Sequence, residues 1–150
     1  MKQSIQQLQS IIDNYSGQLN RLHEDEWTNK PNPLKWSKKE VLGHLIDSAQ
    51  NNIRRFIVAQ YEDNPKIVYI QDSWVAAANY QNYVTKDIID LWILLNKHIC
   101  MILKNIPVGA EERLSETDEA RSIKWLAADY NKHLLHHLHQ VLDLEPVAYP

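Results

Sequence analysis

Cysteine and glycine are scarce in this 150-residue chain, and their scarcity excludes several classes of protein. The single cysteine, Cys100, cannot form an internal disulfide, and its apolar neighbours predict a buried, unreactive thiol. Three glycines and six prolines are few for a chain of this length, which is typical of long helices joined by loops. The sequence has no glycine-rich phosphate loop and no Gly-x-Ser-x-Gly motif, so nucleotide and serine-hydrolase chemistry lack support.

The chain also lacks a strong charge of either sign. Sixteen basic and nineteen acidic residues leave a net charge of -3, which gives no general electrostatic reason to bind nucleic acid or an anionic membrane. Its first residues lack the apolar centre of a signal peptide, and no apolar run approaches the roughly 18 residues of a membrane span. We therefore expect a cytoplasmic protein with one domain over residues 1–150, built on 44% hydrophobic residues.

Hydrophobic residues recur at three- and four-residue spacing in four long segments, which predicts an all-α four-helix bundle. A capping box of Ser37 and Glu40 marks the start of the second helix. The predicted helices cover residues 2–22, 37–61, 86–105 and 122–144. The connection Glu62 to Thr85 is longer than a bundle normally needs, and residues 73–80 within it could add a short helix.

Four of the seven histidines fall within residues 133–139 of the last predicted helix. His133 and His137 are one turn apart, so their Cβ atoms can lie roughly 6 Å apart on one face, close enough for both imidazoles to bind one metal ion. On a helical projection both point along the buried side, while His136 and His139 point to the other side and should be mainly solvated. This window predicts two of the ligands of a metal site.

A third candidate ligand, His44, begins a polar seam along the edge of the second helix. The seam continues through Ser48, Asn51 and Arg55, and unpaired polar groups of this kind usually border a groove or a ligand site. Asp47 lies nearly one turn beyond His44 and is a candidate for a hydrogen bond that orients a metal-ligating histidine without binding the metal itself. If the seam faces the last helix, three imidazoles converge.

One other interpretation of the histidine pair stays open, and a second is disfavoured. Histidines at this spacing can be core residues that hydrogen-bond to the backbone or to each other. A zinc protease is disfavoured because Leu134 occupies the position at which a His-Glu-x-x-His motif holds its general base.

Two stretches of the sequence form a recognisable pattern. The first reads Trp36-Ser37-x-x-Glu40-Val41-Leu42-Gly43-His44-Leu45-Ile46-Asp47-Ser48, followed by Asn51, Asn52 and Arg55-Phe56. The second reads Asp129-Tyr130-x-x-His133-x-x-His136-His137-Leu138-x-Gln140-Val141. In these stretches the chain resembles the DinB superfamily of helical-bundle proteins, in the branch that includes bacillithiol transferases. The resemblance covers essentially the whole chain.

The resemblance implies an up-down-down-up bundle, often a homodimer, with one divalent metal ion, commonly nickel or zinc. Carried over to this sequence, its ligands are His44, His133 and His137. Three imidazoles leave a position open for water or substrate, as in catalytic rather than structural sites. We expect Ser48, Asn51, Arg55 and Tyr130 to contact a small-molecule substrate.

The leading hypothesis for function is a metal-dependent transferase that uses a low-molecular-weight thiol, as the related transferases do. One alternative is a metal-dependent hydrolase, although Asp47 is the only carboxylate that the helical projection places clearly on a buried seam as a general base. The other alternative is a stress-associated metal-binding module without turnover.

Overall fold

The computed structural model describes residues 1–149 and contains six α-helices, four of them long. They are α1 (Lys2–Leu19), α2 (Glu24–Thr28), α3 (Lys38–Val58), α4 (Gln71–Ala78), α5 (Thr85–Asn105) and α6 (Ile123–Val141). The side chains of Ser37 and Ser122 cap α3 and α6 by accepting hydrogen bonds from the backbone of Glu40 and Trp125. The predicted all-α class and four-helix bundle are confirmed, and the long helices end within three residues of their predicted bounds.

Contacts between the long helices show an up-down-down-up bundle. Helix α1 packs against α5 and α6, and α3 packs against the same two helices. Ser4 and, further along α1, Tyr15 contact residues of α6 in the same order, Asn131 and then His139, so these two helices are parallel. His44 and Ser48 of α3 meet α6 in the reverse order, which makes α3 and α6 antiparallel. The starts of α3 and α5 lie together, at Lys39 and Tyr83, so these two helices are parallel.

The buried residues of the bundle are mostly apolar. Its largest fully buried side chains include Trp27, Trp92, Phe56 and Tyr130. Burial of such aromatic groups supplies the main driving force for the fold. Cys100 lies in this core, where burial raises the pKa of its thiol, as the sequence predicted.

The long crossover from α3 to α5 contains α4 and a single 3₁₀ turn at Tyr80–Asn82. Tyr80 is buried against Gly43, where any Cβ atom would overlap the tyrosine ring. The Tyr80 hydroxyl donates a hydrogen bond to Oδ1 of Asp47, a carboxyl group that is fully buried. The crossover is therefore fixed to α3 by a close aromatic contact and a buried hydrogen bond.

The sequence predicted neither the short helix α2 nor a small antiparallel hairpin between α5 and α6. Its strands, β1 (Leu114–Glu116) and β2 (Ala120–Ser122), pair Leu114 with Ser122. Strands of three residues are too short to show a period of two in the sequence. The hairpin matters for function because its turn reaches the site described below.

None of the helices within residues 1–149 combines the length and the apolar character that crossing a lipid bilayer requires.

Candidate metal centre

Three histidines from two antiparallel helices meet at one point. His44 of α3 lies against His133 and His137 of α6, and one ring nitrogen from each lies within 4.8 Å of the others. The Nε2 atoms of His44 and His133 are 3.1 Å apart. Two nitrogens bound to one tetrahedral zinc ion would be roughly 3.4 Å apart, given a bond of about 2.1 Å. The donor set therefore fits a divalent transition metal.

Hydrogen bonds at the far side of two rings orient these histidines. Nδ1 of His137 lies 3.1 Å from Oε1 of Gln140, and Nδ1 of His133 lies 3.4 Å from the Ser48 hydroxyl. Where the partner accepts the Nδ1 proton, as Oε1 of Gln140 does, Nε2 keeps its lone pair for a metal ion, which is the arrangement that metal-binding histidines usually have. His44 differs because its buried Nδ1 has no hydrogen-bond partner within residues 1–149, and its ring instead packs against Trp36.

All three imidazoles are held neutral. Burial, followed by the charge of His137, lowers the pKa of His44 to about 4. Burial and the neighbouring histidines lower the pKa of His133 to about 2, and burial also lowers the pKa of His137. A neutral imidazole keeps the lone pair that a metal ion needs, so the cluster is ready to bind metal at neutral pH.

A cavity of about 610 Å³ lies beside His133. Four parts of the chain line it: α3, the crossover, the hairpin and α6 with the segment that follows it. The lining side chains are Ser48, Asn52 and Arg55; Tyr69 and Gln71; Thr117, Asp118 and Arg121; and Trp125, Leu126, Asp129, Tyr130, His133 and Tyr149. The size suits a small-molecule substrate.

Arg55 lines this cavity as a partly buried cation. Burial lowers the pKa of its guanidinium, and within residues 1–149 it forms no ion pair. Its Nε and Nη2 atoms donate to the carbonyl of Ile67 at 3.1 and 2.9 Å, which fixes the group in place. A fixed and partly desolvated cation that faces a cavity is suited to an anionic ligand.

The other predicted substrate residues have different positions. Ser48 lines the cavity, but Asn51 does not, and its amide donates to the carbonyl of Asp47 on its own helix. The neighbouring Asn52 lines the cavity instead. Tyr130 lines the cavity, and its hydroxyl donates to Oδ1 of Asn96 in the core at 2.8 Å.

Asp47 makes no hydrogen bond with any of the three histidines. Its carboxyl group binds Tyr80, and burial raises its pKa to about 6. The supporting role predicted for Asp47 behind the ligands has no matching contact, and its observed contact joins α3 to the crossover.

His136 and His139 are half-buried, so the expectation that they are mainly solvated is wrong. Each Nδ1 atom donates to a backbone carbonyl beyond α6, His136 to Val147 at 2.6 Å and His139 to Glu145 at 2.7 Å. The chain folds back over this side of α6, which a helical projection cannot show.

The sequence profile of the DinB superfamily matches residues 7–141. The chain belongs to this superfamily. None of the curated proteins matches it in sequence.

Two solved structures share the fold. YfiT from Bacillus subtilis, described as a probable metal-dependent hydrolase with an unusual four-helix bundle topology, has 19% identity and a TM-score of 0.82. That alignment covers 95% of this chain and 83% of YfiT. A mycothiol-dependent maleylpyruvate isomerase has 14% identity and a TM-score of 0.72, over 98% of this chain and 61% of the isomerase. This chain thus spans about three-fifths of the isomerase.

Proposed function

We propose that this protein is an enzyme that depends on one divalent metal ion, nickel or zinc, held by His44, His133 and His137. The observation that carries the proposal is the convergence of three neutral imidazoles beside a cavity of substrate size. Imidazole ligands suit nickel and zinc. Such an ion, when bound, lowers the pKa of a water or a thiol that coordinates it.

The reaction we favour is transfer of a low-molecular-weight thiol to an electrophile. The sulfur forms the new bond to carbon, the displaced group leaves with its electron pair, and the thiol proton is released to solvent. Small cellular thiols carry carboxylates, and the unpaired Arg55 is suited to binding one. Ser48 and Asn52 add polar groups beside it, so the thiol would be oriented by α3.

A second candidate, metal-dependent hydrolysis, is favoured by Asp129. This carboxylate lies one turn before His133 and lines the same cavity, where it can act as a general base towards water. YfiT, which shares the fold, is described as a probable hydrolase. We further propose a homodimer on the strength of the family resemblance.

An activity assay with matched variants separates these functions. Nickel- and zinc-loaded protein is mixed with a panel of small thiols and chlorodinitrobenzene, and formation of the thioether is followed. We expect turnover that His133→Ala abolishes, and a rise of about tenfold or more in the KM for the thiol in Arg55→Ala with metal content unchanged. His98→Ala, an exposed histidine on α5, is the control.

Three results would redirect the proposal. Rates equal to those of His133→Ala for every thiol would reject thiol transfer. Ester or amide turnover without a thiol, lost in Asp129→Asn, would support the hydrolase. Bound metal with neither activity would support the module without turnover.

A further inference from the structure

The segment after α6 runs back along its own helix. At Asp143 the backbone is left-handed, with a φ of 52°, and Leu144 donates to the carbonyl of His139 at 2.9 Å. The chain then passes His139 and His136 in reverse order and brings Tyr149 beside Asp129. We refer to residues 142–149 as the C-terminal strap.

Two histidines that are not in the metal cluster attach the strap. Because a carbonyl can only accept, His136 and His139 must each donate from Nδ1, to Val147 and Glu145. Nε2 of His139 is then free to accept from the Tyr15 hydroxyl of α1 at 2.7 Å. The two histidines thus attach the strap directly to α6, and the contact with Tyr15 holds His139 in place from α1.

Tyr149 of the strap lies at the wall of the cavity. The Tyr149 ring meets the His133 ring edge-on, with centroids 5.3 Å apart, and its hydroxyl donates to Oδ2 of Asp129 at 2.8 Å. Tyr149 lines the cavity together with His133 and Arg55. A half-buried aromatic ring in this position limits the space next to the candidate metal ligand.

We propose that Tyr149 is a substrate-contact residue that sets the size of the electrophile admitted beside His133, and that His136 and His139 are the positioning residues that hold it there. This inference rests on the proposed thiol transfer. It assigns separate roles to the four clustered histidines, two in the metal cluster and two on the strap.

Selectivity between electrophiles of different size tests the role of Tyr149. The ratio of kcat/KM for chlorodinitrobenzene to that for chloroacetamide is measured with one thiol. We expect Tyr149→Ala to raise this ratio about tenfold because it removes the ring wall, whereas Tyr149→Phe keeps the ring and the ratio. His139→Ala should shift the ratio in the same direction by a smaller factor. An active Tyr149→Ala with an unchanged ratio would overturn the proposal.

A second measurement does not depend on activity. Modification of His133 by diethylpyrocarbonate is followed by peptide mass spectrometry in chelator-treated protein. We expect the rate to rise several-fold in Tyr149→Ala and to stay at the wild-type value in His98→Ala. Tyr149→Leu, which keeps an apolar contact, replaces the alanine variant if that variant does not fold.

The two readouts separate the two proposals. Loss of thiol transfer in every assay with faster His133 modification in Tyr149→Ala would reject the proposed function but retain the strap as the wall over His133. An unchanged rate of modification would reject the strap as that wall, whatever the activity.

Discussion

Two pairs of histidines share one short stretch of α6, and their surroundings differ. His133 and His137 face α3, where His44 supplies a third imidazole and the ring nitrogens converge. His136 and His139 face the C-terminal strap and donate to its carbonyls. The same side chain therefore has two roles within two turns, and the element that packs opposite decides which role it has.

Substitution of any of the three converging histidines should have the largest effect. His133→Ala, His137→Ala or His44→Ala should weaken binding of nickel or zinc by more than about 100-fold, the upper end of what supporting partners alone contribute. His136→Ala and His139→Ala should stay within about tenfold of wild type. Competition with a chromophoric chelator measures both. Loss of the metal in His136→Ala with retention in His133→Ala would reverse our assignment.

The buried histidine cluster should make the stability of the metal-free protein depend on pH. In chelator-treated protein the histidines of the unfolded chain take up protons as the pH falls below about 6.5. In the folded protein the pKa is lowered to about 4 for His44 and to about 2 for His133, so these two side chains stay neutral. Stability should therefore fall as the pH falls below 6.5, by up to about 1.4 kcal/mol per pH unit for each of these histidines. Urea titrations between pH 7 and 5 measure the slope, and His133→Asn should reduce it.

Asp47 should change the pH dependence of stability in the opposite direction to His44 and His133. Its pKa is raised from 3.8 to about 6, so its contribution to stability is present below pH 3.8 and is lost as the pH rises through 6. It offsets part of the histidine effect, and Asp47→Asn should make the fall in stability steeper. A slope in Asp47→Asn equal to or shallower than that of wild type would contradict this assignment.

The smallest effect is expected on the strap side. His139→Ala removes hydrogen bonds to Glu145 and Tyr15, which should lower the free energy of unfolding by about 1–2 kcal/mol. Metal affinity should stay near the wild-type value. His98→Ala on the surface of α5 should change stability by less than about 0.5 kcal/mol. Equal losses in the two variants would show that the strap contacts contribute nothing to stability.

The sequence predicted the bundle well because its helices are long and strongly periodic. The spacing of His133 and His137 placed two imidazoles on one face, but the position of His44 opposite them followed from the family resemblance. Periodicity could not locate Asp118, Arg121 or Tyr149. They lie in a hairpin whose strands are only three residues long and in a strap, and the positions of both depend on tertiary contacts.

The sequence analysis predicted Asn51 as a substrate contact, whereas Asn52 is the residue that lines the cavity, and the reason is again tertiary packing. Both amides are buried on α3 about 100° apart, and only the packing of the crossover and α6 decides which of them lines the cavity.

The most direct test of the account is metal binding by chelator-stripped protein, followed by elemental analysis and thermal melting. We predict about one nickel or zinc ion per chain. At a free metal concentration of 100 times Kd the ion should stabilise the fold by about 2.7 kcal/mol, a rise in Tm of roughly 5–10 °C. Protein that retains neither metal, and melts at the same temperature with and without them, would contradict the three-histidine metal centre.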